Sequence, residues 1–195
     1  MQKIAITGNI ATGKSLVGDY LRELNFPVLD SDQVVAALYQ SAEIKDLLQE
    51  KFGFSAFNQD GSVNKKWLAE LVFADNDYRR WLESLLWPRV FSEIELWLFA
   101  QEKKQATRAF VLVPLLFEAG QVAMFDQIWL LSSSEETILE RLQIRNHFDL
   151  ATAKKRLATQ IPESQKYGLV DVIIDNHGTI AQLKQQVLAL VKKES

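Results

Sequence analysis

Apolar positions along this chain change period several times, and the changes mark out an α/β fold. Lys3 to Thr7 is a short apolar run that stops at a glycine, and from Lys14 onward Leu16, Val17, Tyr20, Leu21 and Leu24 recur at helical spacing. Asn25 closes that helix, and Pro27 to Leu29 reads as a second strand ending at Asp30. Helical spacing returns at Val34, Val35 and Leu38, then at Ile44, Leu47, Leu48 and Phe52, until a turn-rich stretch from Gly53 to Ser62 breaks it. Between Val63 and Gln105 the pattern is helical almost throughout, with Pro88 placed to open a helix at its first turn. This predicts a helical insertion over about 63–105. Strands return at Phe110 to Val113, Ile128 to Leu131 and Val172 to Ile174. Strands separated by helices predict a five-stranded parallel sheet with helices on both faces, binding ligands at the carboxyl ends of its strands.

Composition narrows the possibilities. A chain of 195 residues, 48% hydrophobic, can bury one substantial core, so residues 1–195 are expected to form a single domain with the insertion as a subdomain. The formal charge is −3 with acids and bases interspersed, which leaves no broad basic face for nucleic acid. A small anionic ligand held by a few local cations fits that balance. The lack of cysteine excludes disulfide frameworks, thiolate zinc sites and thiol nucleophiles together. No run of about 18 apolar residues offers a membrane span, and Met1 leads straight into a strand rather than a charged and apolar leader. A cytoplasmic protein with no membrane partner is expected.

The chemistry enters at Gly8 to Ser15, GNIATGKS, which fits the P-loop pattern G-x-x-x-x-G-K-[ST]. Gly8 and Gly13 permit backbone angles and close approaches that side chains would block, so that successive amides, through Ala11 and Thr12, can point at phosphate oxygens. The helix beginning at Lys14 adds its positive end. Lys14 can reach the β and γ phosphates, and the Ser15 hydroxyl is placed for magnesium. The motif sits between an apolar strand and an amphipathic helix, the setting its mechanism needs. A guanine-reading N-K-x-D has no counterpart, since Asn64-Lys65-Lys66-Trp67 ends in tryptophan. ATP, magnesium and a small-molecule acceptor are the expected ligands.

Asp30 and Asp32, in LDSD, follow the second strand at the sheet end where a ligand would bind, and Asp32 is the candidate base. The competing reading is that Asp30 or Ser31 only caps the next helix. An ordinary carboxylate is a weak base, but phosphoryl transfer passes through a loose transition state in which orienting the hydroxyl matters most. Arg141 and Arg145, four apart in ERLQIR, project from one helix face with forks suited to phosphate oxygens; surface ion pairs to Glu140 or Asp149 are the alternative. His147 and His177 are too isolated for a metal site. The tryptophans at helical spacing read as core packing, with a second-substrate pocket as the other use.

Together these segments resemble the dephospho-CoA kinase family over nearly the whole chain. TGNIATGKS followed by FPVLDSDQVV is similar to that family's opening, VPLLFEAG to the segment shaping its acceptor site, RLQIRN with KKRLATQIP to its lid, and VDVIIDNHGT to its closing strand. The resemblance implies that Ala11, Thr12, Gly13, Lys14, Ser15 and Leu16 hold ATP phosphates and that Asn176 stands at a position associated with the nucleotide base. It implies that Asp32 positions or deprotonates the ribose 3′-hydroxyl of dephospho-CoA, and that Arg141 and Arg145 close over the transferring group from a lid at about 138–160. Asn9 and Ala11 stand where the family usually has glycine, Leu112 where it usually has aspartate, and Trp87 where it usually has histidine. A kinase for another nucleotide-like acceptor, or a nucleotide-binding paralogue without catalysis, are the alternatives.

Overall fold

The structure, a computed structural model, describes residues 1–193. Short apolar runs form strands β1 (Gln2–Thr7), β2 (Val28–Asp30), β3 (Arg108–Leu112), β4 (Gln127–Ser132) and β5 (Val172–Asp175). They pair in parallel in the order β2-β3-β1-β4-β5, the sheet that the alternation of strands and helices predicts. Near-continuous apolar sequence in β1, β3 and β4 goes with burial on both faces, the rule for parallel strands in α/β folds.

Helices α1 (Lys14–Glu23) and α8 (Ile180–Lys193) cover one face of the sheet. Their Val17, Leu21, Leu183 and Val187 pack on Ile4, Ile6, Phe110, Leu112, Trp129 and Leu131. The Phe110 ring meets Phe26 and Trp129 edge-on at centroid distances of 5.4 and 5.3 Å, a geometry that suits the aromatic quadrupoles. Buried Arg108 donates from Nη1 to Val191 O at 2.7 Å, satisfying a carbonyl in the last turn of α8 that lacks an intrahelical partner.

The chain falls into two compact units, one formed by Met1–Asp30 with the chain from Leu98 onward and the other by Ser31–Trp97. The second unit is helical: α2 (Ser31–Leu38), α3 (Ala42–Phe52), α4 (Lys65–Ala74) and most of α5 (Asn76–Lys103). Its core gathers Tyr39, Ile44, Leu48, Leu68, Leu82 and Leu86. Phe52 meets Trp67, Tyr78 and Trp81 edge-on at 5.8, 5.3 and 5.2 Å, so Trp67 and Trp81 serve packing. Burial pushes the Tyr39 phenol up to about 12.

Pro88 does not open a helix. It lies inside α5, which continues for 28 residues. An interior proline removes one ladder hydrogen bond and crowds the carbonyl four residues back. The Arg89 guanidinium donates to Leu85 O at 2.8 Å in that turn and to Glu43 on α3, so the disturbed turn keeps polar partners. Helical packing on both sides of Pro88, through Leu82, Leu86, Val90, Phe91 and Ile94, outweighs the local signal to stop.

Candidate active site

Four helices open on a side-chain cap: Ser41 on α3, Asn64 on α4, Ser134 on α6 (Glu135–Asn146) and Asp149 on α7 (Leu150–Ala158). Helix α1 differs, because Gly13 occupies its N-cap position with no side-chain cap. The first amides of a helix have no intrahelical acceptor and carry the positive end of its dipole, which makes an uncapped start an anion site. Glycine is required there for two reasons. Gly13 has φ +104°, which L side chains rarely adopt, and a Cβ would lie 2.4 Å from Asn176 Nδ2. Gly13→Ala is expected to lower stability by about 2–4 kcal/mol through strain and the displaced Asn176, read as a drop in thermal midpoint; an unchanged midpoint contradicts it.

The rest of the loop is held from within and from three neighbouring elements. Buried Thr12 donates from Oγ1 to Asn9 O at 2.8 Å. Lys14 Nζ donates to Gly8 O at 2.7 Å and to Asn9 O at 2.9 Å, placing its ammonium against the curve of the loop. Asn176, at the end of β5 and 4% exposed, donates from Nδ2 to Thr12 O at 2.7 Å. Ser15 is exposed on the first turn of α1, and Leu16 beside it is half-buried.

The two arginines on α6 occupy different surroundings. Arg141 Nη1 donates to Ala11 O at 3.0 Å and to Ser133 Oγ at 3.3 Å, and its Nη2 reaches Asn176 O at 3.5 Å. It therefore braces the loop through backbone carbonyls. Arg145, one turn further on, is exposed. Below them Ile138, Leu139, Leu142 and Ala153 of the α6–α7 pair pack with Ile10 and Ala11 of the loop. His147, which has no assigned role, ends α6 in the left-handed conformation with φ 55°. Asp149 accepts from Thr152 N at 2.6 Å as the cap of α7, and that hydrogen bond holds its carboxyl below the usual range.

Asp30 ends β2, paired with Leu112 of β3, and Asp32 is exposed in the first turn of α2, in the helical unit. Chain continuity thus sets Asp32 two residues beyond the carboxyl end of a parallel strand, where α/β sheets carry their ligands. Buried Ser31 intervenes.

The profile of the dephospho-CoA kinase family matches residues 2–182. The chain belongs to the dephospho-CoA kinase family. The dephospho-CoA kinase of Shouchella clausii is 33% identical over 192 residues, covering 98% of each chain. That of Synechocystis is 36% identical over 187 residues, covering 95% of this chain and 92% of its own. A crystal structure of a Thermus thermophilus protein superposes with a TM-score of 0.80 at 28% identity, covering 100% of this chain and 98% of that one. Membership carries the activity for which the family is named, phosphorylation of dephospho-CoA.

Against that family, Leu112 departs in sequence but is housed by the core. It is 2% exposed, in the cluster under α1, and a Cβ on Gly18 would meet its Cδ1 at 2.7 Å. Gly18 thus lets α1 approach β3 over a leucine. Trp87 is half-buried on α5. Arg141 and Asn176, both expected at the nucleotide, donate to the loop carbonyls of Ala11 and Thr12, and Arg141 also reaches Ser133 Oγ and Asn176 O. Ser133, which links the two through bonds to Arg141 and to Asn176 O at 3.1 Å, was not singled out, since a serine among three consecutive serines carries no local signal.

Proposed function

We propose that this kinase transfers the γ-phosphoryl group of ATP to the ribose 3′-hydroxyl of dephospho-CoA, giving CoA and ADP, with magnesium as the companion ion. The observation that carries the nucleotide half is the uncapped start of α1 at Gly13, wrapped by a glycine loop with Lys14 against its inner curve. Gly8 and Gly13, with the amides from Ala11 to Leu16, form the phosphate cradle, and Arg141 and Asn176 keep it in shape. Magnesium neutralises the phosphate oxygens and would take the Ser15 hydroxyl as a ligand. That exposed hydroxyl on the first turn of α1 fits such a role. Asp32 orients the acceptor hydroxyl and accepts its proton. We assign acceptor binding to the helical block at about 63–105 and the lid to about 138–160, the latter supported by the packing of α6 and α7 on Ile10 and Ala11. No helix of the described residues is long and apolar enough to cross a membrane, and we place the enzyme in the cytoplasm, where ATP is abundant.

Arg145 supplies the mobile positive charge over the transferring group. Arg145→Ala is expected to slow transfer by at least about tenfold with little change in thermal midpoint, because the side chain is exposed. Arg141→Ala should lose both rate and stability, having contacts with Ala11, Ser133 and Asn176 to give up. Equal effects of the two substitutions on the midpoint would contradict the division. The acceptor is tested by a panel containing dephospho-CoA, adenosine, AMP and shikimate at fixed ATP and magnesium; the reading requires dephospho-CoA to give the highest kcat/KM, and another acceptor exceeding it defeats the reading.

A further inference from the structure

Three side chains behind the loop have no part in the transfer just described. Lys166, between two 3₁₀ turns at Glu163–Gln165 and Tyr167–Leu169, is 0% exposed. Its Nζ donates to Asn9 Oδ1 at 2.7 Å, lies 3.7 Å from Glu118 Oε1, and stands 5.8 Å from the centroid of the Phe117 ring. Glu118 Oε1 accepts from Ile161 N at 3.0 Å, fixing the carboxylate to the segment that carries Lys166. Its Oε2 is buried with no hydrogen-bond partner among the described residues. Gln160, in the same segment, accepts the loop amide of Ile10 at 2.7 Å through Oε1. Successive loop residues 9 and 10 are therefore gripped by side chains from one short stretch, 160–166.

Asn9 connects that grip to the chemistry. Its side chain accepts from Lys166, while its backbone carbonyl accepts from Lys14 Nζ and from Thr12 Oγ1. A buried ammonium is a costly way to fill a core. Burial pulls its pKa below the ordinary lysine value and Glu118 opposes that shift. An ion pair of this kind, with an unmatched carboxylate oxygen, stabilises no more than well-packed apolar side chains. What an apolar side chain cannot do is donate to Asn9 Oδ1.

We propose that Lys166 is a positioning residue of the phosphate-binding loop: it fixes the Asn9 carboxamide, and through Asn9 the carbonyl on which Lys14 rests, while Gln160 fixes Ile10. This rests on the ATP-dependent reading above. The ordering lowers the reorganisation needed when triphosphate enters, so its loss falls on ATP and spares the acceptor.

The test uses the full chain with Lys166→Met/Glu118→Gln, which removes both charges and keeps volume, with Asn9→Gly, and with all three changes together. ATP dissociation constants are measured by calorimetry, alongside kcat, both KM values and thermal midpoints. The paired variant should weaken ATP binding about tenfold, the loss expected for one hydrogen bond to a charged group, and leave KM for dephospho-CoA within about twofold. Asn9→Gly should weaken ATP binding similarly, and the triple variant should be no worse than the paired one. Unchanged ATP affinity, or multiplied losses in the triple variant, overturns the proposal. Should the paired variant not fold, Asn9→Gly alone still decides: normal ATP affinity overturns the proposal, and weakened ATP affinity with KM for dephospho-CoA within about twofold of wild type supports it. Wild-type protein that binds ATP but leaves dephospho-CoA untouched would strike the reaction assigned above and not this role, which is read from ATP binding.

Discussion

Replacing Lys14 with alanine is expected to reduce kcat/KM for ATP by about a thousandfold while leaving the fold intact. The ammonium rests on Gly8 O and Asn9 O, at the inner curve of a loop whose helix start is uncapped. From there it can follow the β and γ phosphates as charge spreads over the transferring oxygens. Removal of one preorganised donor to developing negative charge commonly costs about a hundredfold to a thousandfold. Lys14 also contributes to ground-state binding of the triphosphate, which deepens the loss in kcat/KM. Little stability should go with it, because the side chain is only half-buried. Steady-state kinetics and thermal midpoint together check this; a variant within about tenfold of wild type in kcat/KM would remove the loop from the chemistry.

Asp32→Asn is expected to separate turnover from nucleotide binding. General-base and orienting carboxylates contribute about a hundredfold to ten-thousandfold, so kcat should fall within that range while the ATP dissociation constant stays within about threefold. The substitution preserves shape at an exposed position in the first turn of α2. Its structural cost is limited to losing a negative charge near a helix start, about 0.3–1 kcal/mol. A role confined to capping α2 predicts the reverse: a small shift in midpoint and turnover near wild type. Stopped-flow or quench-flow measurement of the transfer step distinguishes them.

Much of this was legible in the sequence because the informative features are local. Each strand is an apolar run, and β1 and β4 were placed to within one residue at each end because Gly8 and the polar residues around Gln127 and Ser133 bound them sharply. The P-loop is equally local, its glycines, Lys14 and Ser15 lying within eight residues. Strand order was not legible: β1 pairs with β3 across about a hundred residues of intervening chain, and the apolar stretches of the two strands carry nothing that names the partner. Pro88 misled for the converse reason, since a strong local stop signal was overridden by packing along α5. The contacts around the loop lay furthest out of reach. Lys166 is 157 residues from Asn9, and in sequence it is one lysine in ESQKYG, with no motif that would announce a buried ammonium. Arg141 showed the right charge on the right helix, but whether its donors go to phosphate or to Ala11 O depends on how α6 lies against the loop.

The central claim is that this fold moves a phosphoryl group from ATP to one hydroxyl of dephospho-CoA. ATP labelled at the γ-phosphoryl group, incubated with magnesium, dephospho-CoA and the full chain, tests it most directly. The account predicts label recovered at the ribose 3′ position of CoA, with one ADP formed per CoA and no transfer by Lys14→Ala above background. Label released as inorganic phosphate regardless of dephospho-CoA, or no labelled CoA from a protein that binds ATP, would contradict it.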